Sequence, residues 1–132
     1  MNILLWVLQL LLALAFLAHG YIFLVPPADI VEQMNALLPR WFQLFLGIAE
    51  IAAAVGLTLP GVSRVHPYLV SWAAAGIMIV MIAATILHVV RGEIQSAVIT
   101  AVLLALATFV AYMRWRVLPI QPRQLPVESV RS

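Results

Sequence analysis

The sequence lacks both cysteine and lysine, and it has few charged residues of either sign. Without cysteine the chain forms no disulfide, offers no thiolate to a metal and carries no thiol redox chemistry. Charged residues make up 9% of the chain and hydrophobic residues 65%, whereas soluble domains are roughly a quarter charged. So few charges cannot cover a surface in water. The sequence therefore predicts an integral membrane protein. Its 132 residues suit a single domain, and no metal site is predicted.

Four apolar segments cover about residues 3–25, 41–59, 67–90 and 94–113. Each is close to the roughly 20 residues that an α-helix needs to cross a bilayer. The first has no basic start and no small-x-small cleavage site, so we interpret it as a membrane span and not as a signal peptide. These segments predict an all-α, integral membrane four-helix bundle with up-down-up-down topology, formed by residues 1–113 as a single transmembrane domain.

The segment 28–39 between the first two spans is too short and too polar to cross the membrane. Asp29 and Glu32 have the spacing of a capping box at a helix start. The apolar residues that follow fall on one helical face: Ile30, Val31, Met34, Leu37 and Leu38. The pattern predicts a short amphipathic helix that lies in the membrane interface. An ordinary structured loop is the alternative.

Residues 114–132 form a basic segment with four arginines and three prolines. We expect an extended tail that is poorly ordered beyond its first turn. Four spans place both termini on one side, together with five of the seven arginines: Arg64, Arg114, Arg116, Arg123 and Arg131. This excess predicts a multi-pass protein with both termini in the cytoplasm. The calculated pI of about 9.7 follows from arginines near span ends, so it indicates orientation and not a nucleic-acid partner.

Glu50 is the only carboxylate within the four apolar segments, and it lies near the middle of its segment. At 1.5 Å of rise per residue, it is within about 2 Å of the membrane midplane. An ionisable group at that depth costs a few kcal/mol, so it needs a partner or a function. Gln43, Gly47, Glu50 and Ala54 share one helical face. Because this face is polar and small, we expect it to point into the bundle.

Two histidines extend the polar region towards the side opposite the termini. His19 lies roughly 7 Å from the midplane and His88 about 14 Å from it. On the third span, Met78, Met81, Thr85 and His88 share one face. We therefore predict an inward polar pocket that opens on this side and is formed by His19, Gln43, Glu50, Thr85 and His88.

Each of these residues also has a purely structural interpretation. A protonated Glu50 can hold the bundle in register through a hydrogen bond to Gln43 or to a histidine. His19 can bond to a backbone carbonyl at its helix end, and His88 can face lipid headgroups. The residues alone do not distinguish these roles from binding or catalysis, and they do not distinguish an enzyme from a non-enzymatic protein.

The chain resembles the DoxX-like family of small four-helix membrane proteins. The resemblance rests on HGY at the end of the first span, GIAEIAAAVGLTLPG in the second, and AAAGIMIVMIAATILHVVRGE in the third and its exit. It covers about residues 4–113. In a common form of the family pattern, a lysine follows the glycine of the first motif, whereas Tyr21–Pro27 supplies no base here.

The resemblance implies a four-helix bundle in a bacterial-type plasma (inner) membrane. The family includes a subunit of a thiosulfate:quinone oxidoreductase and components associated with redox stress. The first hypothesis is therefore an accessory subunit of a membrane redox or quinone-linked system. It would contact quinone or lipid at a Glu/His pocket and receive electrons from a redox protein partner.

Two other functions stay open at this point. The first is a non-enzymatic membrane scaffold or assembly factor, in which the polar pocket only stabilises the bundle. The second, less favoured, is a small proton-coupled transporter, a class that carries its membrane glutamate in the first span. A bundle of this size can also form a homo-oligomer, although no GxxxG stripe fixes a dimer face.

Overall fold

The protein is described here by a computed structural model of residues 1–124, and residues 125–132 lie outside the description. The described chain contains five α-helices and one π-helical turn, and no strand occurs among its residues. The helices are α1 (Asn2–Leu24), α2 (Val31–Leu37), α3 (Arg40–Ser63), α4 (Leu69–Val90) and α5 (Ile94–Tyr112), and the π-helical turn Met113–Val117 continues α5.

Helices α1, α3, α4 and α5 are long and apolar enough to cross a membrane. Helix α1 packs mainly against α3, α3 against α4 and α4 against α5, and a smaller contact between α1 and α5 closes the ring. This arrangement confirms the predicted all-α, four-helix membrane bundle. We call the end that holds Met1, Arg64 and Arg114 the terminal end, and the opposite end, which holds α2 and Glu93, the α2 end.

The core is built from one apolar stripe of each spanning helix. Phe16 on α1, Leu57 on α3, Ile77 on α4 and Val110 on α5 are each at most 2% exposed. Large apolar side chains also cover the outward faces, for example Ile79, which is 71% exposed. A helix that is apolar all round belongs in a buried or lipid environment. The bundle is therefore packed inside and suited to hydrocarbon outside.

Helix α2 occupies part of the segment predicted to form an interfacial helix. It spans Val31–Leu37, has no side-chain cap and buries none of its residues. The capping box predicted for Asp29 and Glu32 therefore does not form. The amide of Gln43 on α3 donates a hydrogen bond to Asn35 Oδ1 at 3.0 Å. This bond ties α2 to the start of the second span.

Helix α3 continues through Pro60, where the sequence predicts the second span to stop. Proline inside a helix removes one backbone hydrogen bond. The next residue, Gly61, has no side chain, and a Cβ there would lie 2.8 Å from the Trp6 ring and 2.9 Å from Ile120. Packing of these two side chains against Gly61 holds the last turn of the helix against the bundle. The helix then ends at Arg64, whose φ of 56° is left-handed.

Helical conformation at the end of α5 passes the predicted tail boundary at residue 114 and continues to Val117. Beyond it, Arg64 Nε donates to the carbonyl of Gln121 at 2.8 Å. The backbone N–H of Arg123 donates to the carbonyl of Arg64 at 2.9 Å. These bonds place the described part of the tail, which has no regular secondary structure beyond residue 118, across the α3–α4 turn. The rest of the predicted tail lies outside the described residues.

Helices α1 and α3 approach each other closely at Gly20 and Gly47. A Cβ added to either glycine would lie 2.9 Å from the carbonyl oxygen of the other. Since these contacts are to backbone, a side chain at either position forces the helices apart. A Cβ at Gly20 would also lie 3.2 Å from Cβ of Glu50. The two glycines therefore set the α1–α3 distance at the level of Glu50.

Replacing Gly20 by alanine should destabilise the bundle, because the added methyl overlaps the α3 backbone. We expect a loss of about 1–3 kcal/mol in the free energy of unfolding. Thermal unfolding of the purified protein in detergent measures it. Gly76→Ala is the matched control, since nothing lies within 4 Å of a Cβ at that exposed helical position. Equal stability of the two variants would contradict the close α1–α3 crossing.

Candidate functional site

The buried carboxylate of Glu50 forms a hydrogen bond with His19. Glu50 Oε2 lies 2.7 Å from His19 Nδ1, next to the Gly20–Gly47 crossing. Glu50 is 3% exposed, whereas the His19 side chain is 54% exposed. The His19 ring also meets the edge of Phe23 at a centroid distance of 4.9 Å. The pair therefore links the inside of the bundle to its α1 surface and gives the buried carboxylate a partner.

Two cavities flank this pair. The first, here called the imidazole cavity, has a volume of about 320 Å³ between α1, α4 and α5. Its polar lining residues are His19, His88, Ser96 and Thr100. The second, here called the alanine cavity, has a volume of about 360 Å³ between α3 and α4. It is lined by small and apolar residues together with Glu50. His19 thus borders the imidazole cavity, and Glu50 borders the alanine cavity.

The structure distributes the five predicted site residues over three places. His19 and Glu50 are paired, and His88 borders the imidazole cavity with His19. Thr85 lies between α4 and α5, where its hydroxyl contacts Thr100 Oγ1 at 2.9 Å. The fifth residue, Gln43, takes part in a separate network at the α2 end. The five residues therefore do not form one pocket, although the face of α3 that carries Gln43 and Glu50 is buried as predicted.

The network around Gln43 closes the α2 end of the α1–α3 pair. Gln43 is fully buried and donates to the carbonyl of Leu38 at 2.8 Å. Arg40 donates to the carbonyls of Phe23 and Leu24 at 2.8 and 2.7 Å. These carbonyls are among the last of α1 and have no partner within the helix. Arg40 therefore caps the C-terminal end of α1.

A charged cluster occupies the α4–α5 turn, beside the imidazole cavity. His88 Nδ1 lies 2.5 Å from Glu93 Oε2, and Arg91 donates to Glu93 Oε1 at 2.9 Å. The hydrogen bond from His88, and to a lesser extent Arg91, lowers the pKa of Glu93 below its ordinary value, against a smaller opposing effect of burial. His88 is thus held by a surface carboxylate and lies near one end of the cavity.

The sequence did not indicate a second buried polar network at the terminal end. Arg114 in the π-helical turn donates to Gln9 Oε1 at 2.6 Å and to Asn2 Oδ1 at 2.8 Å. The Gln9 amide in turn donates to the carbonyl of Leu57 on α3 at 2.7 Å. A lone glutamine inside the first span was the available signal, because a buried amide in a membrane needs partners. Its partner on α5 lies 105 residues away, too far for spacing to identify.

The fold and the His19–Glu50 pair define a small multi-pass membrane protein whose first two spans share a His–Glu hydrogen bond. Residues 7–110 match the DoxX-like family, and the chain belongs to that family. The match includes the pair and His88. No curated protein matches the chain, and no solved structure matches it. Among residues 1–124, no three histidine or acidic side chains come together where they could hold a metal ion.

The lowered pKa of Glu93 makes stability depend on pH at the α4–α5 turn. Folded Glu93 takes up its proton at lower pH than in the unfolded chain, where the ordinary value is 4.5. Its stabilisation is complete above that value and is lost as pH falls through the folded pKa. We therefore expect wild type to melt at a higher temperature than Glu93→Gln near pH 6, with a gap that narrows as the pH falls below 4.5 and through the folded pKa. Thermal unfolding in detergent tests this, and a gap independent of pH would contradict it.

Proposed function

We propose that this protein is an accessory subunit of a membrane redox system and binds a quinone beside the His19–Glu50 pair. The observation that carries the proposal is the position of the pair between two largely apolar cavities. An apolar cavity with a few polar groups suits a small lipid-soluble ring. An acid–base pair within hydrogen-bond reach of such a ring exchanges protons with its oxygens.

The bond between Glu50 and Nδ1 leaves Nε2 as the ring nitrogen of His19 for a ligand. When the pair is neutral overall, Nε2 carries a proton, whether the shared proton is on Glu50 or on Nδ1. When that Nε2 proton leaves, Glu50 is a carboxylate, Nδ1 holds the remaining proton and Nε2 becomes an acceptor. The pair therefore gives or takes one proton at Nε2 while its internal hydrogen bond is kept.

The imidazole cavity is the place we propose for the quinone ring. Besides His19, it offers the His88 ring and the Ser96 and Thr100 hydroxyls, while Phe16 and Met81 supply apolar walls. Histidine and hydroxyl side chains both donate hydrogen bonds to carbonyl oxygens. The apolar tail of the quinone would then lie along the lipid-facing surface of the bundle.

Reduction of a quinone to its quinol consumes two electrons and two protons. In the proposed role, the electrons come from the electron carrier of a redox protein partner. His19 Nε2 would give one proton to a quinone oxygen, the pair would regain a proton at Nε2 from water, and Nε2 would then supply the proton for the second quinone oxygen. His88 and Ser96 lie close to the ends of α4 and α5, which places the cavity near water at the α2 end.

We infer further that the protein lies in the plasma membrane with both termini in the cytoplasm. The distribution of arginine supports this orientation, since positively charged residues accumulate on the cytoplasmic side. The terminal end carries four of the six arginines within residues 1–124: Arg64, Arg114, Arg116 and Arg123. In this orientation the imidazole cavity lies nearer the non-cytoplasmic side.

Glu50→Gln tests the quinone site, because glutamine keeps the size of the side chain and a hydrogen bond to His19 but cannot ionise. Protein purified in mild detergent is extracted with organic solvent, and quinone is quantified per mole of protein. We expect wild type to retain quinone and Glu50→Gln to retain at least about tenfold less, the loss expected when a charge-assisted hydrogen bond becomes a neutral one. Glu32→Gln makes the same chemical change on exposed α2 and should retain the wild-type amount.

Two results would contradict the quinone proposal. Extracts that contain phospholipid and no quinone in wild type and in both variants would exclude the proposal. So would equal quinone content in wild type and Glu50→Gln, because the pair would then take no part in binding. Melting temperatures of all three proteins, measured in parallel, separate a lost ligand from a lost fold.

A scaffold or assembly role is the second candidate, and one observation favours it. The His19–Glu50 bond joins α1 to α3, and the Gln9–Arg114 bond joins α1 to α5, so both polar networks also hold the bundle together. In that role Glu50→Gln lowers the melting temperature and leaves the bound lipids unchanged. The same measurements therefore distinguish the two functions.

A further inference from the structure

Arg114 is a buried cation at the terminal end, away from the His19–Glu50 pair. It lies in the π-helical turn and is 4% exposed. Three oxygens accept its hydrogen bonds: Gln9 Oε1 at 2.6 Å, Asn2 Oδ1 at 2.8 Å and the carbonyl of Leu118 at 3.1 Å. All three belong to neutral groups. None of these three partners therefore neutralises the positive charge of the buried guanidinium.

No carboxylate of residues 1–124 forms an ion pair with Arg114. Within the same residues, its Nη2 atom is buried and has no hydrogen-bond acceptor. The Trp6 ring lies 5.3 Å from the guanidinium carbon, which supplies a cation–π contact. A buried charge needs an opposite charge or a full set of hydrogen bonds. The described chain gives Arg114 neither.

A cavity of about 390 Å³ borders Arg114. Its wall includes the buried Ser71 and three exposed aromatic residues, Tyr68, Trp72 and Trp115. The rings of Trp72 and Trp115 are 5.8 Å apart. Tyrosine and tryptophan at a helix end mark the depth of lipid headgroups. The cavity therefore lies where a headgroup meets the start of its acyl chains.

The charge of this end of the bundle favours an anion. Within residues 1–124, the terminal end has four arginines, Arg64, Arg114, Arg116 and Arg123, and no acidic residue. Of these four, only Arg114 is buried. A negatively charged group in the cavity would supply both the missing opposite charge and the missing acceptor for Nη2.

We propose that this cavity binds the phosphate of an anionic phospholipid, with Arg114 as the charged ligand and the Ser71 hydroxyl as a second donor. Arginine and phosphate form strong, charge-assisted hydrogen bonds. The apolar aromatic wall accommodates the glycerol and upper acyl chains of the lipid. A free phosphate ion would leave this wall uncovered. Because Nη2 is covered in this conformation, we expect phosphate binding to shift the guanidinium or a neighbouring side chain so that Nη2 reaches the phosphate.

The test uses the full-length protein, delipidated in detergent, and measures its melting temperature with three additions. These are phosphatidylglycerol, phosphatidylcholine with the same acyl chains, and inorganic phosphate. A ligand that binds only the folded state raises the melting temperature. We expect phosphatidylglycerol to raise it by several degrees, phosphatidylcholine to raise it less, and inorganic phosphate to leave it unchanged.

Two variants assign the effect to the cavity. Arg114→Gln should weaken the affinity for phosphatidylglycerol at least about tenfold, as removal of a charged hydrogen-bond donor implies, so that about ten times more lipid is needed for the same rise in melting temperature. Since this change also disturbs Gln9 and Asn2, Ser71→Leu provides an independent variant: it fills the cavity and leaves the three hydrogen bonds of Arg114 in place. It should abolish the difference between the two lipids. Arg116→Gln, an exposed arginine of the same turn, should keep the wild-type response.

Several outcomes would overturn the proposal. One is an equal response to both lipids, and another is a lipid-selective response that persists in Arg114→Gln and Ser71→Leu. A rise with inorganic phosphate as large as that with phosphatidylglycerol would assign the cavity to a free anion. A drop in melting temperature for Glu128→Gln without lipid, together with no selectivity between lipids, would assign it to the chain's own tail, which lies outside the described residues.

Discussion

The close contact of α1 and α3 at Gly20 and Gly47 is the constraint on which the rest of the structure depends. It brings His19 within 2.7 Å of Glu50, and it allows Arg40 to reach the last carbonyls of α1. Both interactions need the two backbones in van der Waals contact. Without them, a carboxylate at the middle of a span would be buried alone, at a cost of a few kcal/mol. Because Gly20 and Gly47 have no side chain, the helices come close enough for an ionisable residue to be accommodated inside the membrane.

The fold was predictable from the sequence because it depends on composition and on one repeating period. Four long apolar segments and short connections specify a four-helix membrane bundle without knowledge of any contact. The buried face of α3 was predictable for a similar reason, since Gln43, Gly47, Glu50 and Ala54 recur at helical spacing. Where α3 ends was not, because the turn after Pro60 packs against Trp6 and Ile120, which are distant in the sequence.

The arrangement of the polar residues was predictable only in part. Depth along each span brought His19 near Glu50, but the rotation of neighbouring helices decides which side chains meet, and no spacing encodes it. As a result of this rotation, Gln43 forms a hydrogen bond with Asn35, and His88 forms one with Glu93. The sequence places Arg114 in the tail and does not indicate its burial, because its partners Gln9 and Asn2 lie at the other end of the chain.

The hydrogen bonds of Gln9 bear on how the protein is made. Gln9 is synthesised before both of its partners, since its amide bonds to α3 and its carbonyl accepts from Arg114 in the π-helical turn. Until the last span is synthesised, the carbonyl of Gln9 has no arginine to accept from, and α1 resides in the bilayer with an incomplete set of partners. Membrane insertion and closure of the bundle are therefore separate events. The hydrogen bonds of Gln9 are complete only once Arg114 has been synthesised.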